Sequence, residues 1–172
     1  PLSGMSIIAR LLDSKGYKVG IIPQPETDEE YQICGRPKYF FCITSGLLDS
    51  MLANYTPMLR ERENVLVPER ALMVYTQKVK QFYKNIITVI GGVEATIRRF
   101  THFDYKENIL RRGILNDSKA ELLLFGNADR AILTLLQRLT ALEQTTATKI
   151  ADEKWDTIKP KLDLPTIDGT AF

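Results

Sequence analysis

The highest concentration of chemically active side chains lies in the segment from Arg98 to Arg112. The candidate residues in it are four arginines, the only histidine of the chain, one aspartate and one tyrosine: Arg98, Arg99, His102, Asp104, Tyr105, Arg111 and Arg112. Guanidinium groups bind phosphates and carboxylates through paired hydrogen bonds, and aromatic rings stack on nucleic-acid bases. The segment therefore predicts either an anion or RNA site, or a long loop held by ion pairs from the arginines to Asp104, Glu107 or Asp117.

A second group of candidate residues follows the ends of predicted β-strands. Ser45 and Asp49 follow one strand, and Gly91, Gly92 and Glu94 follow the next. In an open parallel sheet, ligands bind beyond the carboxyl ends of the strands, because loops and helix N-termini present free N–H groups there. Glycine at such a turn suits a bound phosphate, and it suits a tight strand-to-helix turn equally well. Neither G-x-G-x-x-G nor G-x-x-x-x-G-K-[ST] occurs, which argues against the usual dinucleotide and P-loop sites.

The sequence predicts neither a metal centre nor a catalytic group within this chain. Cys34 and Cys42 are the only thiols, and their spacing matches no zinc, iron–sulfur or thioredoxin motif. We expect both to be reduced and mostly buried. His102 has no second histidine or thiol beside it, and no local motif supports a Ser-His-Asp or Cys-His arrangement.

Hydrophobic periodicity predicts an α/β domain. Helical spacing is found near residues 5–12, 47–54, 68–82 and 129–142, and strand patterns at 17–22, 39–44, 86–90 and 122–125. Thr27 and Glu30 form a capping-box pattern for a short helix between the first two strands. The run from Tyr39 to Ile43 is continuously apolar, as in a parallel strand that is covered on both faces. This alternation predicts a doubly wound, mostly parallel sheet, flavodoxin-like or cobalamin-binding-like, whose first strand is missing from the sequence.

Composition and patterning also predict the domain organisation and the compartment. The 172 residues fit one domain, for which we expect residues 1–145, followed by an extended linker over 146–172. The hydrophobic fraction of 44% and the charged fraction of 26% are typical of soluble domains, and no apolar run is long enough to span a membrane, so we expect a cytoplasmic protein. The net charge of +2 is too small to indicate nucleic acid by itself.

Several spaced motifs resemble the N-terminal region of YgiQ-type radical SAM proteins, a family without an assigned biochemical role. The resemblance covers roughly residues 1–140. It rests on Ile90-Gly91-Gly92-Val93-Glu94-Ala95, Arg98-Arg99, His102-Phe103-Asp104-Tyr105, Arg111-Arg112, Asp117-Ser118-Lys119-Ala120, Gly35-Arg36-Pro37, Asp49-Ser50-Met51, Pro68-Glu69-Arg70-Ala71 and Phe125-Gly126-Asn127.

This resemblance implies that a cobalamin-binding-like α/β domain precedes a radical SAM barrel in the same polypeptide. The barrel would hold a 4Fe-4S cluster on a Cys-x-x-x-Cys-x-x-Cys motif and would cleave S-adenosylmethionine, and that motif is absent from this sequence. The Asp-x-His-x-x-Gly loop of cobalamin-binding relatives is absent too. The connection Met58 to Val67 looks shorter than the equivalent loop of the family, and the turn Asn127-Ala128-Asp129 departs from the family's Gly-Glu pair.

Two functions remain open at this point. In the first, the chain is an accessory or substrate-recognition domain of a radical SAM enzyme with an unknown substrate. Its partner is its own C-terminal barrel, which its strand-end residues contact, and no membrane is involved. In the second, the chain is a noncatalytic module that binds RNA or another anion through the arginine-rich segment. A further interpretation places the same arginines at the interface with the barrel.

Overall fold

The computed structural model describes residues 4–63 and 67–172. Part of the predicted connection Met58 to Val67, residues 64–66, lies outside the described residues. The helices are α1 (Gly4–Ser14), α2 (Ser50–Asn54), α3 (Ala71–Phe82), α4 (Gly92–Ile97), α5 (Ile114–Ser118), α6 (Asp129–Thr146) and α7 (Trp155–Ile158). The strands are β1 (Phe40–Ile43), β2 (Ile87–Ile90), β3 (His102–Asp104), β4 (Ile109–Arg111), β5 (Leu122–Leu124) and β6 (Thr170–Ala171).

The main sheet has the strand order β1-β2-β5-β6. The first three strands are parallel, with Ile43 opposite Ile90 and Val89 opposite Leu122, and β6 joins antiparallel to β5. Helices lie in the connections between the parallel strands, because parallel neighbours need a crossover connection and cannot be joined by a tight turn. The predicted α/β class with a mostly parallel sheet is confirmed.

Apolar side chains of the central strands alternate between two cores, one on each face of the sheet. Ile87, Val89 and Leu122 point into the first core, where they pack with α1 and α6. Ile90 and Leu123 point into the second core, where they pack with α3, α4 and α5. Every residue of β2 and β5 is buried, which explains why these strands carry continuous apolar runs.

The segment Tyr17–Ile22 is not a strand, and the prediction of a strand there is wrong. It is extended chain that follows α1, and beyond Tyr17 its backbone makes no hydrogen bond to any described residue. The apolar composition is that of a strand, but β-structure requires a neighbouring strand in register, and none lies beside this segment. The capping box that follows is present around a single 3-10 turn: the Glu30 carboxylate accepts from the N–H groups of Glu26 and Thr27.

The arginine-rich segment is partly a β-hairpin, which the sequence analysis missed. β3 and β4 pair antiparallel, with His102 opposite Arg111 and Phe103 opposite Leu110. The strands have only three residues each, and their polar composition hides the alternation that would identify them. The hairpin places Arg111 beside Asp104, seven residues earlier in the chain.

The last 26 residues pack against the domain. Ile150, Ile158, Leu162 and Leu164 are buried in the first core, and β6 extends the sheet. The sequence analysis predicts an extended linker over residues 146–172, and this boundary remains a prediction; the final residue, Phe172, is 43% exposed. That this segment leads toward a further domain remains a prediction.

No helix among residues 4–63 and 67–172 is long and apolar enough to cross a membrane.

Candidate functional site

The candidate site lies where the parallel strands end. β1 leads into the turn at Thr44-Ser45-Gly46, and β2 leads through Gly91 into α4. Gly92 has φ +85°, and a Cβ atom there would lie 2.4 Å from the Thr44 hydroxyl oxygen. This contact between the turns after β1 and β2 leaves room only for glycine. Gly92 therefore serves a tight strand-to-helix turn, and a phosphate at Gly91 and Gly92 remains a prediction.

The buried Asp49 carboxylate both caps α2 and pairs with Arg98. It is the N-cap of α2, where it accepts hydrogen bonds from the N–H groups of Met51 at 2.9 Å and Leu52 at 3.2 Å. Arg98 donates to the same carboxylate from Nε at 2.5 Å and from Nη2 at 2.9 Å. Asp49 is 0% exposed, and its hydrogen bonds are all made within the domain.

Glu94 ties α4 to the beginnings of two other helices. Its carboxylate accepts from the N–H of Ser50 at 2.9 Å and from the N–H of Leu72 at 3.4 Å. The Ser50 hydroxyl in turn accepts from the N–H of Ala71 at 3.1 Å. Because the first N–H groups of a helix lack partners within the helix, a buried carboxylate that serves two helices holds them in fixed positions.

Asp104 is the centre of a third buried group. Its Oδ2 atom accepts from Arg70 Nη2 at 2.7 Å and from Arg111 Nε at 2.6 Å, and its Oδ1 atom accepts from the N–H groups of Lys106 and Glu107, both at 3.2 Å. Burial alone would raise the pKa of Asp104, but the hydrogen bonds from Arg70 and Arg111 outweigh it and hold the pKa well below its usual range.

A neighbouring cluster connects the hairpin to the chain around α2 and α3. The Lys106 ammonium contacts the Glu69 carboxylate and the Tyr55 hydroxyl, and the Tyr55 hydroxyl donates to Glu69. Hydrogen bonds to Glu69 and Tyr55 raise the pKa of Lys106 above its ordinary value. The cluster fixes the turn that follows Asp104.

These contacts account for three carboxylates and three arginines at one end of the sheet: Asp49, Glu94, Asp104, Arg70, Arg98 and Arg111. The cavity between them is lined in part by Arg70, Glu94, Arg98 and Arg111 and has a volume of about 10 Å³. That is scarcely room for one water molecule. The arrangement is a packed, internally neutralised cluster, which we call the ionic cluster.

The remaining predicted residues lie around the ionic cluster in different settings. The Ser45 hydroxyl donates to the Leu48 carbonyl at 2.9 Å, and His102 Nδ1 lies 3.1 Å from the Phe100 carbonyl. The Arg99 guanidinium lies 4.5 Å from the centre of the Phe100 ring. Each of these three contacts is made to a residue at most three positions away in the chain.

Arg112 is the most exposed of the predicted arginines. Its side chain is 76% exposed and pairs with Asp117 at 3.1 Å. Tyr105 is half-buried at the tip of the hairpin. A bound ligand at these positions remains a prediction.

Sequence reasoning missed Arg70 and Ser50. Arg70 has φ +52° and directly precedes α3. The sequence analysis names it only within the motif Pro68-Glu69-Arg70-Ala71. It lies 34 residues from Asp104 in the chain, so no local spacing connects the two. The excess of arginine over acid between Arg98 and Arg112 indicates that acidic partners lie elsewhere in the chain, but it carries no signal for a further arginine at position 70.

The residues of this chain do not fit an iron–sulfur cluster. Cys34 is exposed and Cys42 lies within β1, where burial raises the pKa of its thiol to about 12. A cluster of this kind needs thiolate ligands grouped around it. Among the described residues, no group of three or more His, Cys, Asp or Glu side chains is arranged to hold a metal ion.

Fold and site together define a class: an α/β domain with a parallel sheet whose strand ends are closed by an ionic cluster. The model of the Radical SAM N-terminal family matches residues 1–162, and the chain belongs to this family. No solved structure matches the chain.

Among the relatives are UPF0313 proteins from bacteria and an archaeon. The chain is 43% identical to one from Geobacter sulfurreducens over 150 residues, which are 81% of the chain and 25% of the relative. It is 41% identical to one from Methanocaldococcus jannaschii over 152 residues, 83% of the chain and 25% of the relative. It is 42% identical to one from Vibrio cholerae over 150 residues, 81% of the chain and 19% of the relative. The chain thus spans about a quarter or less of these relatives.

Proposed function

We propose that this chain is a noncatalytic accessory domain of a radical SAM enzyme that depends on a 4Fe-4S cluster. Its strand-end surface docks against the remainder of the same polypeptide. The family is Radical SAM N-terminal, and relatives are about four times longer, so the chemistry belongs to residues outside the matched region. Cluster ligands and S-adenosylmethionine contacts would come from that remainder, because this chain supplies no fitting set.

The observation that carries the proposal is the contrast between the ionic cluster and the surface around it. Asp49 and Asp104 are ion-paired with the arginines of the ionic cluster, and Glu94 is buried and accepts from backbone N–H groups, while apolar residues on the same loops, on α4 and on the hairpin are exposed. Six such residues, each at least 45% exposed, are Leu47, Leu48, Val93, Ile97, Phe103 and Leu110. Phe103 and Leu110 are directly opposite each other on the hairpin. We call these six residues the apolar rim.

Exposed apolar residues that lie on elements with fixed positions are typical of a surface that is covered by another protein part. The three buried carboxylates hold α2, α3, α4 and the hairpin in place, so the rim is preformed. Fixing the rim before docking reduces the ordering cost of the interface. The remainder of the polypeptide is the occupant that we favour, because it is tethered to this chain and makes up most of each relative.

The first experiment tests the radical SAM assignment. In a chimera, this chain replaces the matching residues of the Geobacter sulfurreducens relative, and the protein is purified without oxygen. We expect roughly four iron and four sulfide per polypeptide, together with reductive cleavage of S-adenosylmethionine. Substitution of the cluster cysteines in the remainder should abolish both. A chimera that binds no cluster and cleaves no S-adenosylmethionine would overturn the assignment.

The second experiment tests the docking surface in the same chimera. We expect the double substitution Leu48→Asp and Leu110→Asp to make the connection after Phe172 more susceptible to limited proteolysis. It should also lower the temperature at which this domain dissociates from the remainder of the chimera. Ile33→Asp is the matched control, because Ile33 is 76% exposed and lies ahead of β1, away from the rim. Equal proteolysis of the rim variant, the Ile33 control and the parent would count against docking through this surface.

A further inference from the structure

A second cavity in the described part of the chain is lined by none of the residues of the ionic cluster. It has a volume of about 750 Å³ and lies between α1, the extended segment Gly16–Ile22 and the strand β1. Most of its wall is apolar, including Met5, Ile8 and Phe40. We call it the slot.

One wall of the slot is an unpaired strand edge. β1 pairs with β2 on one side, and no described strand pairs with its other side. The N–H of Gly91 donates to the Ile43 carbonyl, so Ile43 directs its backbone groups toward β2. Because backbone groups alternate along a strand, Phe40 and Cys42 direct their N–H and C=O groups into the slot.

The opposite wall is also backbone without partners. Lys18 to Ile22 runs as extended chain, and its N–H groups make no hydrogen bond to any described residue. Val19 and Ile21 are 38% and 52% exposed. Two extended segments with free backbone groups thus face one another across an apolar gap.

The strand β1 is less buried than its apolar composition leads us to expect. The strand is as apolar as β2 and β5, yet Phe40, Phe41 and Cys42 are only half-buried while β2 and β5 are fully buried. A continuously apolar run is typical of a strand that is covered on both faces of the sheet, and β1 is covered only in part. An apolar edge of this kind that stayed open would favour aggregation.

We propose that the slot takes one further parallel β-strand, supplied by the polypeptide that leads into α1 in the longer proteins of this family. The strand would bridge Lys18–Ile22 and β1, and so complete a sheet in which Lys18–Ile22 becomes the outer strand. Its chemistry is that of a short, β-branched, proline-free apolar segment, because it would be covered on both faces. The proposal does not depend on the proposed function.

The handedness of the helix crossovers selects this donor. Nearly all parallel strand–helix–strand connections are right-handed, so connections that move in opposite directions along a sheet place their helices on opposite faces. The connection from β1 to β2 places α3 on the second core. α1 lies on the other face, where Leu12 packs in the first core and α1 contacts α6.

A strand that leads through α1 into Lys18–Ile22 must therefore move in the opposite sense, from the β1 side outward. Of the two positions beside Lys18–Ile22, the one toward β1 satisfies this condition, and that position is the slot. The return connection agrees: Tyr31, on the way from Ile22 to β1, packs in the second core with Tyr75 of α3, as a right-handed step back toward β1 requires.

The test compares amide hydrogen exchange, followed by NMR, in three proteins. They are this chain, this chain extended by the residues that precede the matched region in the Geobacter sulfurreducens relative, and this chain extended by a Gly/Ser segment of equal length. The slot-facing amides are those of Phe40 and Cys42, together with alternate amides between Lys18 and Ile22. The amides of Phe41 and Ile43 are internal controls, because they face β2 in every form.

We expect the native extension, and not the Gly/Ser extension, to slow exchange at the slot-facing amides by about tenfold or more, with the controls unchanged. The proposal is overturned if the native extension leaves those amides as they are. It is also overturned if they are already protected in the unextended chain, or if their protection rises with the concentration of that chain, which would assign the slot to a second copy.

Discussion

Replacing Asp104 by asparagine should cost far more stability than replacing an exposed carboxylate in the same way. Asp104 is 2% exposed and shared by Arg70 and Arg111. Asparagine keeps the shape and can still accept from the N–H groups of Lys106 and Glu107. It loses the negative charge, and it places a neutral amide against two guanidinium donors.

The expected magnitude follows from which partners lose compensation. Arg70 retains contacts with Glu69 at 3.7 Å and Glu107 at 3.5 Å, whereas the ion pair with Asp104 is the one that the structure shows for Arg111. Removing one partner of a fully buried pair costs about 3–5 kcal/mol. The Arg70 and Arg111 side chains are 19% and 25% exposed, so solvent offsets part of this, and we expect about 2–4 kcal/mol. For a domain of this size the melting temperature should fall by about 4–16 °C.

The assay is chemical denaturation at several pH values, with Asp28→Asn as the matched control. Asp28 and Lys78 form an exposed pair at 2.7 Å, for which a loss of about 0–1 kcal/mol is typical. Because the folded-state pKa of Asp104 is depressed, its contribution is complete above the unfolded-state pKa of about 4 and is lost as the pH falls through the folded-state value. The gap between wild type and Asp104→Asn should therefore be constant near neutral pH and narrow below about pH 4.

A double variant separates the lost ion pair from general disruption of the hairpin. Arg111→Leu should cost less in the Asp104→Asn background than in the wild type, since the unpaired guanidinium is then absent. The reasoning is refuted if Asp104→Asn lies within about 0.5 kcal/mol of the Asp28→Asn control, or if the two substitutions at 104 and 111 are simply additive.

Three further outcomes follow from single positions. Gly92→Ala should destabilise the domain by about 1–3 kcal/mol in urea unfolding, because φ is +85° and the new Cβ would meet the Thr44 hydroxyl; an unchanged midpoint would contradict this. Native protein at pH 8 should react with iodoacetamide at the exposed Cys34 and not at Cys42, whose pKa of about 12 leaves a thiolate fraction of about 10⁻⁴; mass spectrometry of tryptic peptides distinguishes the two. Leu135→Ala, at a side chain that is 0% exposed, should cost about 2–5 kcal/mol in thermal or chemical unfolding.

The α/β class could be predicted from sequence because its signals are local. The strands β1, β2 and β5 lie in runs of four or five mostly apolar residues, and α6 repeats an apolar stripe through Ile132, Leu135 and Leu139. The segment Tyr17–Ile22 carries the same kind of signal and forms no strand. Composition shows that a segment suits a sheet, but pairing depends on a neighbour that may lie anywhere else in the polypeptide.

The candidate site was predicted as a set of residues but not as an arrangement. Asp49, Glu94, Arg98, Asp104 and Arg111 do lie together, yet their partners are separated by up to 49 positions in the chain, as for Arg98 and Asp49. Helix periodicity and loop motifs carry no information at that separation. The sequence analysis weighed arginines paired with Asp104, Glu107 or Asp117 against an anion site. Arg111 and Arg112 make pairs of the first kind, with Asp104 and Asp117, whereas Arg98 pairs with Asp49.

In our two proposals, the surface around the ionic cluster and the slot make different kinds of contact with the rest of a longer polypeptide. At the strand ends, charge that could attract water or anions is neutralised inside, so the surface left to a partner is apolar and fixed in shape. At the β1 edge, the backbone itself is unsatisfied and accepts only another strand. The apolar rim suits docking between two folded parts, whereas the slot suits the addition of a strand to the sheet. The two surfaces should therefore respond differently to substitution: charges introduced on the rim should loosen docking without unfolding the domain, whereas a change that closes the slot should alter the stability of the domain itself.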